Sequence, residues 1–392
     1  MVFIKPSILS TSIASIALAV SASSAFAADV DLPKNISWTA YGTTSSGYAQ
    51  SVGLGQMLSK NYGTSLRIIP GKNDVSRMVP LRSGQSKICA CGFAALFSQE
   101  GSLMFGTKQW GPMRIYNLFN NLGTNGQQLV VAADAGIKTA ADLKGKRVTW
   151  VKGAPALNMN ASASLAFAGL TWDDVIKVEV PGWGQGVEAV INGQADATHG
   201  STVSSAFNQL AASPRGLYWI TFPHANKEGW ARAKAAAPVW NETMIESAVA
   251  VENNEQGKVP YEGNNYPYPL FVAMNDTPDN LAYGLTKAVM ENYDQIKDSG
   301  PGMNGYQLSR QPIKYVFPFH PASIKYYKEK GVWTAEHDKH NAMLMKRQDV
   351  LAAAWAKMDQ SLADDAFSTA WQRVRAAALE EAGLEVSFRT WE

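Results

Sequence analysis

Few residues in this sequence have the type and the spacing needed for covalent catalysis, a disulfide or metal binding. Two cysteines, Cys89 and Cys91, lie one residue apart in an apolar run that predicts a buried strand. Residues i and i+2 of a strand share a face about 6.6 Å apart, near the upper limit of disulfide reach, which favours two small buried thiols over a disulfide. His337 and His340 stand at i, i+3 on a charged helix, a spacing more typical of a solvated face than of a ligand pair.

Catalytic signatures are missing from the sequence. There is no G-x-S-x-G, no G-x-x-x-x-G-K-[ST] and no H-E-x-x-H. The run Gly182-Trp183-Gly184-Gln185-Gly186 does not have the spacing of a dinucleotide-binding loop. We therefore predict no catalytic residue, no cofactor and no metal, and favour a binding protein over an enzyme.

The composition points to a small-molecule partner. The chain has 392 residues, 46% hydrophobic, with 35 Lys and Arg against 33 Asp and Glu. A formal charge of +2 without a basic cluster predicts no nucleic-acid partner and no attachment to an anionic membrane. The 12 Trp and 14 Tyr exceed what a plain core requires, so some of these rings are candidates for a binding surface.

The N-terminus predicts export. Residues 1–27 combine Lys5, a short Ser-containing apolar run from Ile8 to Val20, and the cleavage pattern Ala25-Phe26-Ala27. The run is shorter than the roughly 20 residues of a membrane-spanning helix, so a cleaved signal peptide is favoured over an anchor. Removing Lys5 leaves 34 basic and 33 acidic residues, a charge of +1. We expect a periplasmic protein with no segment inserted in the membrane.

The segments that would position a binding site alternate between strand-like and helical patterns, as in an open α/β sheet. Strands are predicted at 36–41, 66–69 and 88–91, each followed by a polar turn and a helix. Ligands of such sheets bind at the carboxyl ends of the strands, beside helix N-termini. Loops 42–48, 71–77 and 92–94 are therefore candidate ligand loops.

A second α/β unit begins near residue 128. Its predicted parts include a loop at 150–160, a helix at 161–169 and a strand that ends near His199. The chain is expected to cross between lobes at 128–132 and to return at 268–273. With length above the roughly 250–300 residues of a single core, two lobes are predicted.

The C-terminal segment predicts two amphipathic helices. Apolar residues recur at helical spacing, with Leu344, Leu351 and Trp355 on the first helix and Phe367 and Trp371 on the second. We expect these helices to pack on the body of the protein. A dimerisation arm that joins two copies is the alternative.

Four segments together resemble the TAXI solute receptors of TRAP transporters, across residues 36–332. They are the turn Gly42 to Tyr48, the helix end Leu81 to Gly84, the run Ile137 to Val148, and the most specific one, His320 to Val332. This resemblance implies a two-lobe type II periplasmic binding protein fold with hinge strands. Lobe I would comprise 28–130 and 269–333, lobe II 131–268, and a C-terminal helical extension 334–392.

The resemblance also implies a ligand, a small carboxylate held between the lobes. Thr44, Ser45 and Tyr48 keep the polar character of the family's first loop. Arg77 stands where the family usually has asparagine, so it could contact a carboxylate if it faces the cleft. The alternative is that Arg77 is a solvent-facing helix residue.

The second lobe departs from the family pattern. The family's Pro-Gly-Ser-Gly-Thr loop appears as residues 153–157, Gly-Ala-Pro-Ala-Leu, without the two hydroxyls that hold the anion. An aromatic second lobe would suit a larger, partly apolar organic acid. The candidate ligand residues around it are Phe93, Trp150, Asn158, Trp183 and His199, with the alternative that each ring belongs to the core.

The resulting functional prediction is a periplasmic receptor that closes on a small organic acid and delivers it to TRAP membrane subunits. A periplasmic ligand sensor is an alternative, because the same fold and export signal would serve it. An enzyme on the same fold is the third class. Porphobilinogen deaminase has such lobes but needs a cofactor-bearing cysteine, and the cysteines of this chain lie in a strand.

Overall fold

The computed structural model describes residues 1–2, 30–251 and 259–388. The predicted signal peptide, 1–27, lies almost entirely outside these residues. Within them the strands are β1 Asn35–Tyr41, β2 Ser65–Gly71, β3 Ile88–Cys91, β4 Ile115–Asn120, β5 Gln127–Ala132, β6 Arg147–Val151, β7 Ile176–Val180, β8 Ala197–Ser201, β9 Leu217–Trp219, β10 Asn241–Ile245, β11 Tyr261–Asn265 and β12 Leu270–Met274. The helices are α1 Ser46–Tyr62, α2 Asp74–Arg82, α3 Ala94–Glu100, α4 Pro155–Phe167, α5 Trp183–Ile191, α6 Ala206–Ala212, α7 Lys227–Ala236, α8 Asp279–Glu291, α9 Tyr293–Ile296, α10 Pro321–Glu329, α11 Ala335–Ala356 and α12 Asp364–Glu381.

Two five-stranded sheets organise the chain. The first has the order β2-β1-β3-β12-β4, with β1, β2 and β3 parallel and β12 antiparallel to both of its neighbours. The second has the order β7-β6-β8-β5-β9, with β6, β7 and β8 parallel and β5 antiparallel to β8 and β9. The predicted two-lobe α/β fold class is confirmed by these sheets.

The chain crosses between the two five-stranded sheets twice. It leaves the first sheet after β4 and enters the second at β5, and it returns to the first sheet at β12 from β11, which pairs with β10 in a separate two-stranded sheet. The two connections span only 121–126 and 266–269. Because both are short, they resemble the hinge connections of two-lobe proteins. The exact lobe boundaries stay a prediction.

The cysteine prediction was wrong. Cys89 and Cys91 form a disulfide, and their Cα atoms are 5.0 Å apart. The strand is more sharply pleated here than the regular spacing of about 6.6 Å that made a bridge unfavourable. Both residues are fully buried on β3, which pairs with β12 on one side and β1 on the other.

The C-terminal helices pack on the first lobe, as predicted. Leu351, Phe367, Trp371 and Leu379 form the core of the hairpin of α11 and α12. The Trp371 Nε1 donates to the Gly101 carbonyl, directly after α3. A dimer through these helices stays a prediction. Among the described residues, no helix combines the length and the apolar character needed to cross a bilayer.

Candidate functional site

A cavity of about 30 Å³ lies where the carboxyl ends of the parallel strands of both sheets meet. Its lining comes from strand ends and from the loops and helix starts beside them, as expected for open α/β sheets. The first sheet and its loops contribute Tyr41, Ser45, Asp74, Arg77, Gly92 and Phe93; the second contributes Gln127, Ala156, Leu157, Trp183, Gly200, Ser201 and Ser204; the return connection contributes Tyr266 and Tyr268.

A buried charge cluster forms one end of the cavity. The Arg77 Nη2 donates to the Asp74 Oδ1 at 2.7 Å, and the Tyr41 hydroxyl donates to the same oxygen. The Arg77 guanidinium also lies 3.7 Å from the centre of the Tyr41 ring, within the range of a cation–π contact. Asp74 and Arg77 are fully buried, so their charges compensate each other away from water.

Asp74 also joins the two lobes. Its Oδ2 accepts a hydrogen bond from the Ala156 backbone N–H at 2.9 Å, in the first turn of α4. The residue at the N-cap of α4 is Ala154, which has no side chain able to cap the helix. Asp74 from the other lobe therefore satisfies a helix N-terminus that would otherwise lack an anionic partner.

Backbone contacts close the cleft on both sides of this cluster. The Val75 N–H donates to the Gly153 carbonyl at 3.0 Å, and the Trp183 N–H donates to the Lys72 carbonyl at 2.9 Å. On the other side, the Ala206 N–H and the Ser205 hydroxyl donate to the Thr44 carbonyl at 3.3 and 3.2 Å. The two lobes are thus in direct contact around the cavity.

Hydroxyl groups around the cavity keep donor capacity. The Ser45 Oγ accepts from the Tyr48 N–H, the Ser204 Oγ from the Ser46 N–H, and the Tyr266 hydroxyl from the Asn160 amide. Because each of these oxygens acts as an acceptor in these bonds, its own O–H remains able to donate. Such donors suit a ligand that carries acceptor oxygens.

Two further polar groups lie at the cavity. The Gln127 Nε2 is buried and has no hydrogen-bond partner among the residues that the structure describes. Burial raises the pKa of the Tyr268 hydroxyl to about 12, an effect that Arg77 opposes and Asp74 reinforces. Tyr268 is therefore a neutral donor at physiological pH.

Aromatic and aliphatic side chains form the remaining wall. Phe93, Leu157 and Trp183 line it, and the Trp183 Nε1 donates to the His199 carbonyl at 2.9 Å. This bond and the edge-on contact of Trp183 with Phe207 hold the indole plane in place. An apolar wall facing a few convergent polar groups is the usual composition of a small-molecule site.

Of the nine residues proposed from the sequence, four line this cavity: Ser45, Arg77, Phe93 and Trp183. The alternative of a solvent-facing Arg77 is wrong, because the side chain is buried. Arg77 lines the cavity, and its guanidinium is paired with the carboxylate of Asp74. Whether these four contact a ligand stays a prediction.

The other five proposed residues do not line the cavity. Thr44 presents its backbone carbonyl to the opposite lobe, and Tyr48 packs on the core beneath α1. Asn158 uses its amide oxygen and nitrogen on the backbone of Val151, at 2.9 and 3.0 Å, so it shapes the loop instead of facing the cavity.

Trp150 and His199 are placed elsewhere by strand geometry. Successive side chains of a strand face opposite sides of the sheet, and the Trp150 ring packs edge-on against Trp172 at 5.0 Å. Lys177 lies over the same ring at 5.1 Å. His199 is buried within β8, behind Trp183.

His199 makes stability depend on pH. Burial lowers its pKa from 6.5 to about 3, against a smaller opposing contribution from the Gln127 backbone, and within the described part of the chain neither ring nitrogen has a close hydrogen-bond partner. The unfolded chain therefore takes up a proton below pH 6.5 that the folded protein does not accept. Stability present at neutral pH is lost as the pH falls, by about 2 kcal/mol at about pH 5.

Urea denaturation at neutral pH and at about pH 5 measures this loss. The His199→Gln variant is expected to show a smaller difference between the two pH values, whatever its absolute stability. The partly exposed His224, replaced by glutamine, is the matched control and should keep the wild-type difference. An unchanged pH dependence in His199→Gln would rule out His199 as its origin.

Sequence reasoning missed the polar centre of the site. Asp74 lies in a loop that the sequence singled out, but no local pattern indicated its contact with α4. Tyr268 begins the segment 268–273, for which the sequence predicts only a crossing between lobes, and Tyr266 lies just before it. No group of three or more metal-ligating side chains occurs among the described residues.

Comparison with known proteins gives a family and several structural likenesses. A sequence model of the NMT1-like family matches residues 39–331. An ancestral arginine-binding protein bound to arginine is 14% identical, with 69% of this chain and 100% of that chain covered and a TM-score of 0.42. The alkanesulfonate-binding protein SsuA from Xanthomonas axonopodis pv. citri bound to MOPS is 13% identical, with 78% and 96% covered and a TM-score of 0.42. The periplasmic aliphatic sulphonate binding protein SsuA from Escherichia coli is 14% identical, with 92% and 93% covered and a TM-score of 0.39.

Proposed function

The chain belongs to the NMT1-like family, and from that premise we propose that it is a periplasmic solute-binding receptor for a small organic acid. The observation that carries this proposal is the cavity between the carboxyl edges of two sheets, with residues of both lobes in its wall. A solute in such a place contacts both lobes at once, so its binding energy favours the conformation in which the lobes meet.

The polar and apolar parts of the wall support an organic acid as ligand. Ser45, Ser204 and Tyr266 can donate hydrogen bonds to carboxylate oxygens, while Phe93 and Trp183 can contact a carbon skeleton. The cavity of about 30 Å³ limits the ligand to a few atoms unless the lobes separate further when it binds.

We propose that opening and closing occur about the two connections, 121–126 and 266–269, which lie just before or at the start of the hinge positions 128–132 and 268–273 that the sequence predicts. Bonds such as Val75 N–H to Gly153 and Ala206 N–H to Thr44 join the lobes and would break when the cleft opens. Since the lobes separate without unfolding either sheet, the motion costs little more than these contacts and the solute's own interactions.

We further propose delivery to TRAP membrane subunits, because the four short segments that resemble TAXI receptors occur in the same order along the chain and in both lobes. A periplasmic sensor subunit is the second candidate. Transport of the solute into liposomes that contain TRAP membrane subunits would support delivery, whereas tight binding without transport would favour the sensor.

Tryptophan fluorescence tests solute binding directly. Titration with a panel of aliphatic and aromatic acids is expected to change the emission of the wild type through Trp183, which lies in the cavity wall. Trp183→Phe should lose this change, while the matched control Trp150→Phe should keep it, because Trp150 packs on Trp172 outside the cavity.

Small-angle scattering with the tightest acid provides the second measurement. A receptor that closes on its ligand becomes more compact, so the radius of gyration is expected to fall on saturation. Tight binding with no compaction would contradict the closure mechanism. No bound solute in mass spectra of the purified protein, together with no response to any acid, would contradict the proposed function itself.

A further inference from the structure

The carboxylate of Asp74 stands where a ligand's carboxylate would find the strongest partners in the cavity. A cationic Arg77 and the N-terminus of α4 converge there, and Asp74 uses both. We propose that Asp74 is a specificity-determining residue, which admits acids with one carboxylate and excludes dicarboxylates. This inference rests on the proposed function and deepens it by naming the substrate class.

Both oxygens of Asp74 accept hydrogen bonds, two at Oδ1 and one at Oδ2. The Oδ1 accepts from Arg77 Nη2 at 2.7 Å and from the Tyr41 hydroxyl, and the Oδ2 accepts from the Ala156 N–H at 2.9 Å. The side chain is completely buried. Few acceptor positions of the carboxylate are left for a ligand. Asp74 therefore acts as a permanent anion of the site and not as an acceptor for a donor group of the ligand.

Helix α4 explains why an anion belongs at this position. It has 13 residues, and its N-cap residue, Ala154, makes no side-chain hydrogen bond to the first turn. A helix N-terminus carries partial positive charge and free N–H groups, which favour a carboxylate. Asp74 supplies that carboxylate from α2, across the boundary between the lobes.

The charges of Asp74 and Arg77 determine how many carboxylates a ligand can place in the cavity. Arg77 is paired with Asp74 and buried, so this end of the cavity has no net positive charge to offer. A second carboxylate placed here would lie against Asp74 in a site of low dielectric, where like charges repel strongly. The remaining donors are neutral: the hydroxyls of Ser45, Ser204 and Tyr266 and the unpartnered Gln127 Nε2. They can hold one carboxylate.

The wild type tests the proposal with a matched pair of acids. Butyrate and succinate have the same number of carbons and differ by one carboxylate. Calorimetric or fluorescence titration is expected to show butyrate binding at least about tenfold more tightly. Succinate binding as tightly as butyrate would overturn the proposal.

Chemical rescue provides the second test. Asp74→Ala removes the internal anion and leaves a space, so formate and acetate are expected to raise its melting temperature, with sodium chloride at equal ionic strength as the salt control. Asp74→Asn fills the space with an amide and should not respond. The double variant Asp74→Ala/Arg77→Met, which lacks the cation, should respond less than Asp74→Ala.

Rescue of Asp74→Ala and acid binding by the wild type can succeed or fail independently, so the role of Asp74 and the proposed function are tested separately. Equal melting temperatures of Asp74→Ala in formate or acetate and in sodium chloride of the same ionic strength would overturn the role of Asp74, even if the wild type closes on another solute. Conversely, rescue of Asp74→Ala by acetate supports the inference even if the wild type binds no acid in the panel. Asp142→Ala, which removes an exposed carboxylate from a different helical turn, is the matched control and should show no acid-dependent change.

Discussion

Replacing Glu100 with glutamine is expected to lower the free energy of unfolding by about 3–5 kcal/mol. Glu100 is completely buried at the end of α3 and accepts hydrogen bonds from two arginines. Arg347 on α11 donates from Nε at 2.6 Å and from Nη2 at 2.7 Å, and Arg375 on α12 donates from Nη1 at 2.9 Å. The glutamine would remove the buried negative charge that Arg347 and Arg375 share at Glu100.

Urea denaturation and limited proteolysis measure this effect. Glu100→Gln is expected to shift the denaturation midpoint downward and to expose the C-terminal segment to protease first, since both arginines lie there. The triple variant Glu100→Leu/Arg347→Met/Arg375→Met should recover most of the stability, because a buried ion cluster replaced as a whole by apolar residues is often neutral. Exposed Glu381→Gln is the control, and a wild-type midpoint in Glu100→Gln would contradict the explanation.

This cluster connects the C-terminal extension to the candidate site. The family match ends at residue 331, so α11 and α12 lie outside it. After α12 the chain brings Phe388 against Phe97, with ring centres 4.9 Å apart, and against the cavity residue Phe93 at 6.3 Å. The extension therefore supports the segment that places Phe93 in the cavity wall.

Replacing Arg77 with methionine is expected to cost a comparable 3–5 kcal/mol, again about the value for breaking a buried ion pair. Asp74 would remain buried with only the Tyr41 hydroxyl and the Ala156 N–H as partners. The variant is also expected to loosen the contact between the lobes, because Arg77 holds the Asp74 carboxylate in position for its hydrogen bond from the Ala156 N–H of α4.

A double-mutant cycle separates the ion pair from the packing of the two side chains. Asp74→Leu and Arg77→Met should each be strongly destabilising, whereas the double variant should lose less than the sum, with an interaction energy of about 2–3 kcal/mol. Arg82→Met, an exposed arginine at the end of the same helix, is the control and should change stability by no more than about 0.5 kcal/mol. Equal losses in Arg77→Met and Arg82→Met would contradict the buried-pair account.

Helix α4 begins earlier than the sequence predicts. The sequence predicts a loop at 150–160 and a helix from 161, yet α4 begins at Pro155. Proline at the first helical position is a valid start signal, but Ala154 before it is a poor N-cap. The group that caps the helix is the carboxylate of Asp74, which accepts from the Ala156 N–H and lies 82 positions before Ala156 in the sequence. A local pattern could not contain this information.

For the aromatic residues too, the sequence predicts part of the site and the packing decides the rest. The sequence indicated that some rings would line a pocket, and Phe93 and Trp183 do lie in the cavity wall. It could not distinguish them from Trp150, because each stands at or near the end of a strand or the start of a helix. Only the packing of Trp150 on Trp172, and of Trp183 on Phe207 and the His199 carbonyl, decides which ring faces the cavity.

The sequence by itself determined the α/β class, the alternation of strands and helices around two sheets, and the two amphipathic helices at the C-terminus. These follow from apolar periodicity, which records locally which face of a segment is buried. Only the tertiary structure decided the partners of Asp74, Arg77 and Glu100. The physical reason is that a buried charge is stable only beside its counterion, and these counterions or caps lie up to 275 positions away, so the pairing exists only after the segments have met.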